Sequence, residues 1–166
     1  MAKDKKNPQI EDELNEKLRG KALRNALGFV AFMRANEMSP DPADDNWFKY
    51  QGENVCLIIL GHCESWNMRN KGDNWSIYWA NCDVCWGEND EADKALEDFA
   101  HKRINPCGKC PCEHSPGIRK AIFGKIYENS CYSTLCFDNP DDGELERIKR
   151  FVGMRKRDIA DGEANA

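Results

Sequence analysis

The chain has 166 residues and a mass of 19.0 kDa, and its 24 Lys+Arg against 29 Asp+Glu leave a formal charge of −5. That length suits one domain, and 40% hydrophobic residues are enough to bury a core, so disorder over most of the chain is excluded. Nine cysteines, an odd number, exclude complete internal disulfide pairing.

Residues 1–9 are charged and lack the apolar stretch of a secretory signal, so they read as a flexible tail on a cytoplasmic protein. From Glu11 to Glu37, Leu14, Leu18, Leu23, Ala26, Leu27, Val30 and Met33 recur mostly at three- and four-residue spacing, which predicts helix, divided at Gly20. Ser39-Pro40-Asp41-Pro42 ends it, because proline disfavours helix in the residue before it. Trp47–Tyr50, Val55–Leu60 and Trp75–Trp79 then read as a three-strand meander, with Gln51-Gly52-Glu53-Asn54 as the first turn and Asn67–Asn74 as the second. Val55–Leu60 is apolar on both faces, the pattern of a central strand covered on both sides. In the third strand Trp75, Ile77 and Trp79 share one face.

A middle helix is predicted from about Asp90 to Arg103 with Asn89 as its cap, followed by a cysteine- and proline-rich loop at 105–116. Ala121–Tyr127 and Cys131–Phe137 read as a hairpin around Glu128-Asn129-Ser130. Asn139 as cap and Pro140 in the first turn open a last helix running to about Ile159, and 160–166 form a second tail. The order predicts a single α+β domain over 10–159. Its antiparallel sheet should have about five strands, a three-strand meander plus a hairpin, packed by N-terminal, middle and C-terminal helices. The longest apolar run, Val55–Leu60, is far short of the ~20 residues of a membrane helix.

Cysteine spacing is the strongest chemical signal. Cys82-Asp83-Val84-Cys85 is separated by twenty-one residues from Cys107-Gly108-Lys109-Cys110, followed by Cys112 and His114. Two Cys-x-x-Cys pairs at such a separation can each turn two thiolates toward one tetrahedral zinc ion. Cys82, Cys85, Cys107, Cys110, Cys112 and His114 are therefore the candidate ligands, and a set drawn from Cys107, Cys110, Cys112 and His114 alone is the competing arrangement. Four protein ligands leave no open position for water, so such a zinc would be structural. Asp83, Glu88, Asp90, Glu91 and Asp93 surround Cys82 and Cys85, and neighbouring carboxylates disfavour a reactive thiolate. Cys56, Cys63, Cys131 and Cys136 fall in or beside predicted strands and read as small buried residues.

The tryptophans form a second constellation. Trp47, Trp66, Trp75, Trp79 and Trp86 gather on the meander and its loops, where they either fill the sheet core or line a surface for a partner protein or small ligand. Charge is segregated too: residues 83–98 carry seven acids and one base, and 147–157 six bases and no acids. Cations at the negative end of a helix dipole explain the basic run, and no recognition motif accompanies it, so nucleic acid is not expected as a partner. No nucleophile elbow, His-Glu-x-x-His pair, phosphate-binding loop or dinucleotide fingerprint is present, and no catalytic residue is assigned. The expectation is a non-enzymatic cytoplasmic binding domain with a structural zinc site. The alternative is a small enzyme or thiol-redox protein using the Cys82–Cys112 cluster.

Overall fold

The computed structural model describes residues 9–41, 47–60, 74–80, 93–108 and 116–164. The helical repeat of the N-terminal segment becomes α1 (Ile10–Lys17) and α2 (Gly20–Ala35), with the break where Gly20 predicts it. Ile10, Leu14 and Leu18 from the first, and Ala26, Phe29, Val30 and Met33 from the second, enter the core. A bidentate ion pair ties the two helices together: Arg34 Nε and Nη2 donate to the Glu11 carboxylate at 2.6 and 2.9 Å. The Arg34 hydrogen bonds hold the Glu11 carboxyl below its ordinary range. A carboxyl with a depressed folded-state pKa stabilises above the unfolded value and loses that contribution as pH falls through the folded one. Because both side chains are partly exposed, Glu11→Gln is expected to cost no more than about 1 kcal/mol near neutral pH. Thermal melts of the two proteins should converge near pH 3; an equal difference at both pH values would refute the assignment.

The strands are β1 (Ser39–Asp41), β2 (Trp47–Tyr50), β3 (Glu53–Leu60), β4 (Trp75–Trp79), β5 (Ile104–Pro106), β6 (Ile118–Ile122) and β7 (Lys125–Asp138). Every pairing is antiparallel, in the order β1-β2-β3-β4-β7-β5, with β6 also on β7. The architecture is α+β, as expected, but among the described residues the sheet has seven strands where the sequence predicts about five. The two additions, β1 and β5, are short, contain Pro40 and Pro106, and lie at the two ends of the strand order. Proline cannot donate to a ladder on both sides, so at an edge it is tolerated where in a central strand it is not. Those prolines made both segments read as loop.

The hairpin is also displaced. It turns at Phe123-Gly124, both at positive φ (45° and 73°), so β7 runs unbroken through Glu128-Asn129-Ser130. Positive φ at both central residues is the requirement of the tightest hairpin turn, and glycine meets it without a steric penalty. Its fourteen residues let β7 carry β6 on its first part and β4 on its last, with β5 on the opposite edge.

β4 is buried at all five positions, with Trp75, Ile77 and Trp79 turned to the face that the helices cover. α3 (Lys94–His101) and α4 (Asp142–Ala164) supply the other side of that layer. Phe151 of α4 lies 6.0 Å from Trp79, 6.1 Å from Phe99 and 6.4 Å from Phe137, ring centroid to ring centroid. Phe29 of α2 approaches Trp75 at 6.4 Å. Val55, Cys56, Leu57 and Ile58 are all buried, as a two-faced apolar run on a central strand requires.

Both caps differ from expectation. Asp93, not Asn89, caps the middle helix: its carboxylate accepts from the Leu96 N–H at 2.8 Å. Asp141, not Asn139, caps α4, in a reciprocal box where its carboxylate accepts from Glu144 N–H at 2.8 Å and Glu144 reaches back to Asp141 N–H at 3.2 Å. Asn139 instead extends the sheet, exchanging hydrogen bonds with the backbone of Trp75 at 2.8 and 3.0 Å. α4 continues past Ile159 to Ala164, so the basic run at 147–157 is mid-helix and not at the dipole's negative end.

Candidate functional site

Of the six candidate zinc ligands, Cys107 falls among the described residues; Cys82, Cys85, Cys110, Cys112 and His114 lie outside them. Cys107 follows directly on β5 and is buried. Its N–H donates to the Asn129 carbonyl at 3.0 Å, and its own carbonyl accepts from Asn129 Nδ2 at 3.2 Å. The same Asn129 side chain accepts from Gly117 N–H at 2.9 Å. One asparagine on β7 thus clamps both ends of the segment that contains Cys110, Cys112 and His114. A Cβ on Gly117 would stand 2.5 Å from Cys107 Cβ and 2.6 Å from the Ser130 carbonyl, so only glycine fits this closure. Among the described residues, no three His, Cys, Asp or Glu side chains converge as a metal site. Cys56 is buried, which pushes its thiol pKa up, and burial pushes the Cys136 thiol up to about 12. Cys131 is buried as well. Cys56 and Cys131 match their reading as small buried residues, Cys136 is only partly buried, and Cys63 lies outside the described residues.

The aromatic constellation divides. Trp75 and Trp79 are 1% and 0% exposed and belong to the core. Trp66 and Trp86 lie outside the described residues. Trp47 is only half-buried, on the rim of a cleft of about 280 Å³ that the β2–β3 hairpin forms with β7 and α4. Lys49, Glu53, Asn54, Tyr132 and Arg155 line it as well. The hairpin turn occupies Gln51-Gly52 alone, at φ 49° and 84°, so Glu53 and Asn54 belong to β3 and not to the expected four-residue turn. The two-residue turn sets Tyr50 opposite Glu53 and Lys49 opposite Asn54 at the cleft, beyond which the register shifts between Lys49 and Phe48. Lys49 Nζ is bonded to the Asp41 carboxylate on β1 at 3.0 Å.

Arg155 is the residue that sequence reasoning missed. The sequence places it among six bases expected at the negative end of a helix dipole, yet its side chain is 10% exposed. Among the described residues its nearest counter-charge is Glu53, with Nη2 to Oε2 at 3.6 Å, and its Nε is buried with no hydrogen-bond partner. Burial lowers its pKa from the ordinary guanidinium value. A signal was present: Arg155 is four residues from both Phe151 and Ile159, on the same stripe of the helix.

Four of the other five members of the basic run are engaged within the fold, and the fifth, Arg157, is exposed. Arg150 pairs with Asp93 at 3.0 Å, joining α4 to the cap of α3. Arg147 lies over the Phe99 ring and Lys149 over that of Phe32. Lys156 meets Glu37 at 3.0 Å, the Asn36 carbonyl at 3.1 Å and the Tyr50 ring. No described helix is long and apolar enough to cross a membrane. Comparison with protein-family models, with curated proteins and with solved structures finds no match for this chain.

Proposed function

We propose that the chain is a non-enzymatic cytoplasmic binding domain that takes a small ligand in the cleft beside Trp47, on a fold supported by one structural zinc ion. The observation that carries the binding reading is the division of the tryptophans: Trp75 and Trp79 serve the core, and Trp47 stands half-buried on a cleft. Two aromatic side chains, Trp47 and Tyr132, stand beside the polar and charged Lys49, Glu53, Asn54 and Arg155, a lining more polar than that of most small-molecule sites and suited to a polar ligand. A volume of about 280 Å³ lies just below the ~300–1,000 Å³ range of such sites, which favours a small ligand over a dinucleotide. The zinc part rests on the spacing of Cys82, Cys85, Cys107, Cys110, Cys112 and His114, and on the donor chemistry of thiolate and imidazole, which suits zinc. The internal engagement of the basic helix argues for a partner other than nucleic acid.

A panel of small neutral, cationic and anionic aromatic compounds, titrated into ¹⁵N-labelled protein, tests the binding reading. At least one class is expected to shift the Trp47 indole N–H and the Asn54 side-chain amide while those of Trp75 and Trp79 stay in place. Assignment by Trp47→Phe identifies the resonance. If no compound of any charge moves Trp47, the cleft is not a ligand site.

A further inference from the structure

We infer that the ligand of this cleft carries a carboxylate, received on the Nε–Nη2 edge of the Arg155 guanidinium as Glu53 is displaced; this rests on the binding reading above and specifies its ligand class. A guanidinium taken out of water needs compensating partners, and a buried cation left unmatched is strongly unfavourable. Arg155 is nine-tenths buried, but Glu53 at 3.6 Å lies beyond the roughly 2.7–3.2 Å of a hydrogen bond. Its Nε has no partner. Nε and Nη2 point the same way along one side of the guanidinium plane, and that pair of donors matches the two oxygens of a carboxylate. The one edge of Arg155 suited to bidentate recognition is therefore the edge left incompletely bonded.

Glu53 is the movable member of the pair. Its side chain is 65% exposed, so its carboxylate can turn to water with little loss. Asp158, one turn further along α4, is the other carboxylate near Arg155 among the described residues. No ion pair joins the two, and Asp158 Oδ2 is itself buried without a partner. Asp158 thus leaves Nε unbonded, and Nε, which has no exposed surface while Glu53 is in place, is uncovered as Glu53 turns away. Charge also decides between anions. Lys49 is already held by Asp41, so once Glu53 turns to water Arg155 presents one positive charge to the cleft. A singly charged carboxylate matches that charge, whereas a dianionic phosphate would meet Glu53 with surplus negative charge. Trp47 and Tyr132 supply apolar contact for the body that carries the carboxylate.

Benzoate, its neutral isostere benzamide, and inorganic phosphate are the probes. Titrations of ¹⁵N-labelled protein follow the Trp47 indole N–H and the Arg155 Nε–H. Benzoate is expected to shift both saturably and to bind at least about tenfold more tightly than benzamide, since a charge-assisted bidentate contact is lost in the amide. Arg155→Gln should abolish the preference, and Arg155→Lys, which keeps the charge without the fork, should restore only part of it. Glu53→Gln should tighten benzoate several-fold by removing the competitor, and because Glu53 is largely exposed this variant tests the inference even if Arg155→Gln fails to fold. Benzamide binding as tightly as benzoate, phosphate binding more tightly, or weakened benzoate binding in Glu53→Gln would each overturn the carboxylate assignment and leave the ligand cleft intact. Silence of Trp47 toward every probe, charged or neutral, would remove the cleft reading itself.

Discussion

Phe151→Ala is expected to lower folding stability by about 3–5 kcal/mol, the usual cost of emptying a large aromatic site in a packed core. Phe151 is 1% exposed, and its ring faces those of Trp79, Phe99, Phe123 and Phe137 at centroid distances of 6.0 to 6.5 Å. These four rings come from β4, α3, the β6–β7 turn and β7, so one side chain on α4 joins four separate segments. Tilted and offset ring pairs contribute a further ~0.5–1.5 kcal/mol each beyond the area they bury. A domain's total stability is typically about 5–15 kcal/mol, so this single change should consume a large share of it. Urea denaturation measures the effect: the midpoint should fall with little change in slope. Phe151→Leu keeps most of the volume and should cost distinctly less. A loss under about 1 kcal/mol for the alanine variant would mean that the helices do not join the sheet through this ring.

Metal removal carries the other large effect. Protein purified without added metal is expected to contain about one zinc per chain, and chelation should lower its melting temperature by roughly 10 °C or more. Structural zinc binding supplies several kcal/mol of folding free energy, and each kcal/mol is worth about 2–4 °C at this chain length. Substitution separates the two ligand arrangements. If each Cys-x-x-Cys pair contributes, Cys82→Ser, Cys85→Ser and Cys107→Ser should each release the metal, as should one of Cys110→Ser, Cys112→Ser and His114→Ala. If the compact set applies, Cys82→Ser and Cys85→Ser should retain it. Metal-free protein with an unchanged melting temperature would dispose of both. The Asn129 clamp gives Cys107 a defined place before any metal arrives, because it holds the chain on both sides of the 109–115 segment.

Both predictions draw on features that differ in how far the amino-acid order exposes them. The three- and four-residue spacing of Leu14, Leu18, Ala26, Val30 and Met33 predicts helices that bury those residues, and they do. The alternation of Trp75, Ile77 and Trp79 likewise marks the face that packs under Phe29 and Phe151. The edge strands behaved differently. Proline in Pro40 and Pro106 reads as a break, because the local rule against proline in strands holds for central positions and is relaxed at an edge. Whether a segment is an edge depends on which strands pair, and no local pattern contains that. The turn at Phe123-Gly124 was hidden for a related reason. Phe123 adopts a positive φ that its side chain does not favour, and the long pairing of β6 with β7 imposes it.

The candidate site shows the same division more sharply. Trp47 and the candidate ligand Cys107 are visible by residue type and spacing alone, since aromatic surplus and Cys-x-x-Cys pairs are chemical signatures. Arg155 shares the helix stripe of Phe151 and Ile159, but residue type masks that signal, because a charged residue in a basic stretch is ordinarily solvated. Its burial follows from where the β2–β3 hairpin comes to rest against α4, a contact between segments about a hundred residues apart. Composition and periodicity thus determined the α+β class, the helix faces and the central strand, because those are set by short-range repeats in one stretch of chain. Strand order, the two proline-bearing edges and the loosely matched charge of Arg155 beside Trp47 were decided by tertiary structure alone, because each is a relation between segments that sequence spacing does not encode.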